Sequence, residues 1–125
     1  MKKHYVLFFL ALIAAFIPAA AAATYVVDID DVSRVELDID GTPVTGLKNG
    51  SNSIDMGSAK YLRVTAKKGV VFTDVTLIDT YNDNEEISWL NRVETADGLQ
   101  YIDLHTNFPE DETFRIRTSG AEDVR

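Results

Sequence analysis

The chain has 125 residues, with 20 acids against 12 Lys and Arg and no cysteine. That is the length of one domain. Its formal charge of −8 makes nucleic acid and an anionic membrane surface poor partners. Without cysteine there is no thiol nucleophile, no disulfide framework and no lipid-modified N-terminal Cys.

The first element is a leader. Lys2 and Lys3 precede VLFFLALIAAFI, Val6 to Ile17, which Pro18 breaks before the small-residue tract Ala19 to Ala23. A short basic region, an apolar run of about 12 residues and an A-x-A site predict a signal peptide over 1–23, cleaved after Ala23. A bilayer span needs roughly 20 apolar residues. The expected protein is exported by the general secretory route to the periplasm or the medium. It carries no membrane span in the mature chain and no lipid anchor. The mature domain, 24–125, loses Lys2 and Lys3 but no acid, so it is more acidic than the whole chain.

From Thr24 onward, short runs alternate in polarity. Tyr25, Val27 and Ile29 alternate with Val26 and Asp28. Val35, Leu37 and Ile39 alternate with Glu36 and Asp38. Leu62, Val64 and Ala66 alternate with Arg63 and Thr65. Phe114, Ile116 and Thr118 alternate with Arg115 and Arg117. Period two marks half-buried antiparallel strands. Asp40-Gly41, Asn49-Gly50, Lys68-Gly69 and Asp97-Gly98 punctuate them as turns. Asn49-Gly50-Ser51 also fits a glycosylation acceptor, but a turn explains it. No segment after Pro18 keeps a helical period. The prediction is one all-β antiparallel sandwich of roughly seven to nine short strands.

Val70 to Ile78 reads VVFTDVTLI, with Val71, Val75 and Leu77 on one parity and Phe72 and Ile78 on the other. It is either a central strand covered on both sides or a strand whose parity a bulge shifts. Asp79 to Glu86, DTYNDNEE, is an exposed acidic connection, the kind of loop that carries function. The charged end from Gly120 to Arg125 frays.

The stretch 36-ELDIDG-41 poses the question of a metal. As a calcium loop it would place Glu36, Asp38 and Asp40 at positions one, three and five and Gly41 at six, but position twelve is Leu47. Val35, Leu37 and Ile39 interleave with the acids, as on a strand with one wet face, and Asp40-Gly41 closes a hairpin. A non-helical site joining these acids to Asp28, Asp30 and Asp31 stays open. The better calcium candidates are Asp79, Asp83, Glu85 and Glu86, hard oxygen ligands within one loop beside Asn82 and Asn84. The alternative there is a solvated acidic loop, with no cofactor at all.

Catalytic motifs are missing. There is no G-x-S-x-G elbow, phosphate loop or zinc motif. Tyr101, Asp103 and His105 share a parity and face one way, either as a polar site or as an exposed strand face near 107-NFPEDE-112. No catalytic residue is assigned. Trp89 shares parity with Ile87, which favours burial, while Trp89 and Tyr81 together are the candidates for a sugar-stacking ligand site.

The order VDIDDVSRVELDIDGTPVTGLKNGSNSIDM followed by YLRVTAKKGVVFTDVT resembles small Ig-like β-sandwich modules of secreted and surface proteins in gut-type Gram-negative bacteria. Gly41, Leu47, Gly50, Asn52, Ile54, Thr65, Ala66 and Gly69 carry the resemblance. Val70 or Val71 stands where those modules have an aromatic residue. The resemblance covers about half of the mature chain. It implies an Ig-like fold and brings no catalytic residue with it.

The function expected is that of a secreted, non-enzymatic binding, adhesion or surface-assembly module whose partner is a protein or glycan at the cell surface. The alternatives are a small glycan-active hydrolase using paired carboxylates and a secreted inhibitor of a basic partner.

Overall fold

A computed structural model describes residues 23–105 and 110–120. The leader residues 1–22, part of 107-NFPEDE-112 and the end 121–125 lie outside them.

The domain is all-β. In chain order the strands are β1 (Thr24–Ile29), β2 (Val35–Ile39), β3 (Thr42–Pro43), β4 (Gly50–Asp55), β5 (Leu62–Ala66), β6 (Val71–Asp79), β7 (Glu85–Ser88), β8 (Glu94–Ala96), β9 (Leu99–Leu104) and β10 (Glu112–Ser119). Two five-stranded sheets, β4-β1-β10-β6-β7 and β3-β2-β5-β9-β8, pack as a sandwich. Strand pairing is antiparallel throughout except between β1 and β10, which run parallel.

Among the described residues there are ten strands, against the seven to nine expected. The difference lies in β3, β7 and β8, whose residues are all exposed. They lie at sheet edges, where backbone pairing defines a strand without any apolar alternation to announce it. Glu85 and Glu86 therefore belong to an edge strand, not to the loop.

The alternation elsewhere becomes the core. Val27, Ile29, Phe114, Ile116 and Val75 of one sheet meet Leu62, Val64, Ile102 and Leu104 of the other, all at most 1 % exposed. In β6 the register against β10 slips between Arg117 and Thr118, where Asp74 gives way to Phe72. Thr73 is the extra residue of a β-bulge. The bulge turns Phe72 inward with Val75 and Leu77 and leaves Val71 exposed, so Val71 and Phe72 exchange the faces that simple parity gives them.

Turn chemistry agrees with the sequence. Asp40 and Gly41 (φ 47° and 92°) join β2 to β3, and Asp97 and Gly98 (φ 54° and 77°) join β8 to β9. Two successive positive φ values make the hairpin turn whose twist matches the strands. The β6–β7 connection uses Asp83 and Asn84 in the same region without glycine, since short Asp and Asn side chains tolerate it.

Asn52 faces the core from β4 and is buried. Its Oδ1 accepts from Lys48 N–H, and its Nδ2 donates to the carbonyls of Lys48, Gly50 and Val27. One amide thus fastens the loop before β4 to the sheet edge, which is a physical reason for Asn at a position that the resemblance singles out. Gly120, at the head of the tail expected to fray, is itself buried.

The 36-ELDIDG-41 strand is tested by contrast. Leu37 is 3 % exposed, whereas Glu36 points to solvent. Leu37→Ala should cost about 2 to 5 kcal/mol of stability. Glu36→Gln should change it by under about 0.5 kcal/mol. Urea unfolding of both variants checks the ranking.

Candidate functional site

The outer face of the β3-β2-β5-β9-β8 sheet is built by residues between the core positions. Arg63 of β5 stands opposite Asp38 of β2 and Asp103 of β9, and Thr65 stands between Glu36 and Tyr101. Arg63 forks onto Asp103, with Nε to Oδ1 at 2.7 Å and Nη2 to Oδ2 at 3.0 Å. Its guanidinium carbon lies 4.4 Å from the Tyr101 ring centre and 5.4 Å from that of Tyr61. The Asp103 hydrogen bond holds the Arg63 proton more firmly than usual, against partial desolvation. Tyr101 donates from its hydroxyl to Glu94 at 2.7 Å, and that bond pushes its phenol pKa up. Two rings, a guanidinium and a carboxylate are thereby fixed on a flat, half-exposed surface, with Glu36 and Asp97 exposed beside them.

Of the three same-parity residues on β9, Tyr101 and Asp103 join this platform. His105 lies past the strand end with its ring 6.4 Å from that of Trp89. Arg63 and Tyr61 were not singled out in the sequence. They share the outward parity of β5, but which strand lies beside β5 is not a local property of the chain.

The outer face of the other sheet is closed by its own charges. Arg115 pairs with Asp74 and Glu86, both at 2.7 Å, and Arg117 with Asp28 at 3.1 Å. Burial opposes the charge of Asp74, but hydrogen bonds from Thr76 and Arg115 outweigh it and hold its pKa below the usual carboxylate range. The registers of β1, β4, β6, β7 and β10 turn no aromatic side chain outward on this face.

The calcium candidates point to separate partners. Asp79 accepts from Tyr81 N–H, Glu85 from the Asn82 amide and Glu86 from Arg115, while Asp83 lies in the turn with positive φ. The second set is likewise dispersed over both sheets. Asp30 accepts from Thr118, and Asp31 accepts from Ser33, a bond that lowers its pKa. Asp38 accepts from Gly41 N–H, and Asp40 from Lys60 and Tyr61 N–H. Among the described residues no three His, Asp or Glu converge as metal ligands.

Trp89 and Tyr81 are separated. Trp89 is 4 % exposed, its ring edge-on to Phe114 at 5.3 Å and covered by the Arg92 guanidinium at 4.0 Å. An indole so enclosed has no free face for a sugar and serves as packing. Tyr81 is 66 % exposed at the β6–β7 turn. Partial desolvation and the carboxylates of Asp111, Glu110, Glu112 and Asp79 push its phenol up.

Those four acids gather where β1 and β10 begin and β6 ends, since Tyr25 pairs with Glu112 and Thr113 with Ile78. Glu112 shares the inward parity of Phe114 and Ile116 and is 8 % exposed. Burial, followed by Glu110, Asp79 and Asp111, raises its pKa from 4.5 to about 7. The parity signal was present in ETFRIRTS but reads as a strand's first residue, a place where a charge is unremarkable.

Two open grooves flank the Val44–Lys48 segment. One, of about 590 Å³, lies against β4 on a floor of Ile39, Val44, Leu47 and Ile54, with Asp55 the one acid among its described lining residues. The other, of about 530 Å³, has Glu36 and Asp38 side by side on one strand. Among their described lining residues neither groove sets two carboxylates across a cleft, the arrangement glycoside hydrolysis uses.

Two measurements follow from these acids. Calcium and magnesium at equal ionic strength should raise the melting temperature equally and slightly, by screening alone. A calcium-specific rise removed by Asp83→Asn with Glu85→Gln would reveal a site at the turn. The raised pKa of Glu112 means that the folded state holds its proton more tightly than the unfolded state. Its contribution therefore favours folding fully below pH 4.5 and is lost as the pH rises through about 7. Glu112→Gln should be more stable than the parent by about 1 to 3 kcal/mol at pH 8, the gap closing below pH 4.5. Denaturant unfolding across that range measures it.

Compared with known protein families, curated proteins and solved structures, the chain matches none.

Proposed function

We propose that the mature protein is an exported, non-enzymatic binding module that meets a protein or glycan at the cell surface through the outer face of the β3-β2-β5-β9-β8 sheet. The observation that carries this reading is the Tyr61–Arg63–Tyr101 stack locked by Asp103. Tyr and Arg are enriched among the residues that dominate binding at protein interfaces, and groups already held in place lose little entropy on binding. The same arrangement offers a sugar two aromatic rings beside charged hydrogen-bonding groups. The surrounding acids favour a basic partner by charge complementarity, so the inhibitor alternative uses the same face.

Three further features support the reading. The apolar leader, with its alanine tract, fits export. The opposite face has its charges satisfied internally. Gly41, Gly50 and Gly69, on which the resemblance to Ig-like surface modules rests, all take positive φ.

The test is capture of envelope proteins and surface glycans by the exported protein. Tyr101→Ala with Arg63→Ala should reduce retention of the captured partner at least about tenfold, as loss of interface anchors does. Ser51→Ala with Ser53→Ala, on the opposite sheet, should leave it unchanged. Equal retention by both double variants, with both folded, would remove the binding role from this face.

A further inference from the structure

We propose that Asp111 is the docking site for the α-ammonium group that leader removal creates at Thr24, so that maturation itself adds an ion pair to the fold. The proposal rests on the reading of residues 1–23 as a cleaved leader.

The contact is already in place. Thr24 N–H donates to Asp111 Oδ1 at 2.8 Å, across strands whose register pairs the next residues, Tyr25 and Glu112. In the unprocessed chain this nitrogen is a neutral amide. Hydrolysis breaks the Ala23–Thr24 C–N bond, places the water hydroxyl on the Ala23 carbonyl carbon as a carboxylic acid and leaves an amine on Thr24. An α-amine has an ordinary pKa near about 8, so at neutral pH it takes a proton from solvent and the same atom becomes a cation.

Among the described residues no other cation is paired with these acids: the ion pairs involve Arg34, Arg63, Arg115 and Arg117, and none reaches Glu110, Asp111 or Glu112. Glu112 is nine-tenths buried beside them, and no hydrogen bond or ion pair from a described residue compensates its carboxylate. Asp79 and Tyr81 face the same place from the end of β6 and the turn after it. Among the described residues no three ligands converge here as a metal ion requires. A terminal ammonium needs only one acceptor in contact and gains from the others through space.

Processing also has a cost. Ala23 accepts from Met56 N–H at 2.8 Å, and that acceptor leaves with the leader. Net stability before and after cleavage therefore mixes two effects. The ion pair is isolated by comparing chains of equal length with and without the charge on Thr24.

The experiment uses the exported protein, its first residue fixed by mass spectrometry. The same chain is also released from a cleavable fusion that leaves Thr24 first. Each is compared with its α-acetylated form, with Asp111 and with Asp111→Asn, by denaturant unfolding at pH 6.5 and low salt. With the amine free, Asp111→Asn should raise the unfolding constant about two- to fivefold. With the amine acetylated, the rise should be less than about twofold. An NMR titration of the Thr24 α-amine should give a pKa above about 8 in the parent and a lower value in Asp111→Asn. Equal effects of Asp111→Asn with and without acetylation, or an α-amine that titrates identically in both proteins, would overturn the docking. An exported protein whose first residue is not Thr24 would overturn the cleavage reading instead, while the fusion-released chain still decides the docking.

Discussion

The parallel pairing of β1 with β10 is the contact on which the architecture depends. It joins the first strand to the last in the middle of the β4-β1-β10-β6-β7 sheet, and it aligns Val27 with Phe114 and Ile29 with Ile116. Without it, β4 and β1 would form one ribbon and β10, β6 and β7 another, each exposing core residues. Polar contacts reinforce the seam. Arg117 reaches the carbonyl and carboxylate of Asp28, and Asp30 accepts from both the backbone and the hydroxyl of Thr118. Because the partners lie almost a whole chain apart, loop closure must precede their reward, and this sheet is complete only when the last strand has arrived.

That seam shows where reading the sequence stops. The alternation in TYVVDI, VELDI, LRVTA and ETFRIRTS became four strands with the inward faces their parity implies. The Asp-Gly pairs became hairpin turns because their φ requirements are local. Direction and neighbourhood are not local. Nothing in Thr24–Ile29 says that its partner runs parallel, and nothing in Leu62–Ala66 says that Asp103 will stand beside Arg63. The bulge at Thr73 lies between these cases. The mixed parity of VVFTDVTLI shows that a shift or double burial is needed, but only the register against Arg117 and Thr118 locates it.

The acids explain why the candidate site was less legible than the fold. On a chain with 20 acidic residues, spacing alone suggests many metal loops, whereas among the described residues no three acids or histidines converge. Asp31, Asp38, Asp40 and Asp79 instead accept backbone N–H groups at turns and, for Asp31, at the head of the short 3-10 turn Val32–Arg34, the local competition with secondary structure in which short carboxylates excel. Others neutralise arginines across strands. What distinguishes Asp111 and Glu112 from these is that register, not sequence spacing, brings them beside Asp79 and the start of β1.

The two outer faces then differ in what they are free to do. The face over β1, β10 and β6 covers the seam, and its arginines are tied to acids on neighbouring strands, so a change there disturbs the pairing that closes the domain. The face over β5 and β9 carries its ordered rings and guanidinium on strands whose registers are set by buried Leu62, Val64, Ile102 and Leu104. Outward substitutions on it leave that core untouched. A domain without disulfides must rely on packing and polar contacts for stability. The polar contacts that reinforce the seam lie on one sheet and the exposed aromatic platform on the other, so a substitution on the platform leaves the seam's contacts in place.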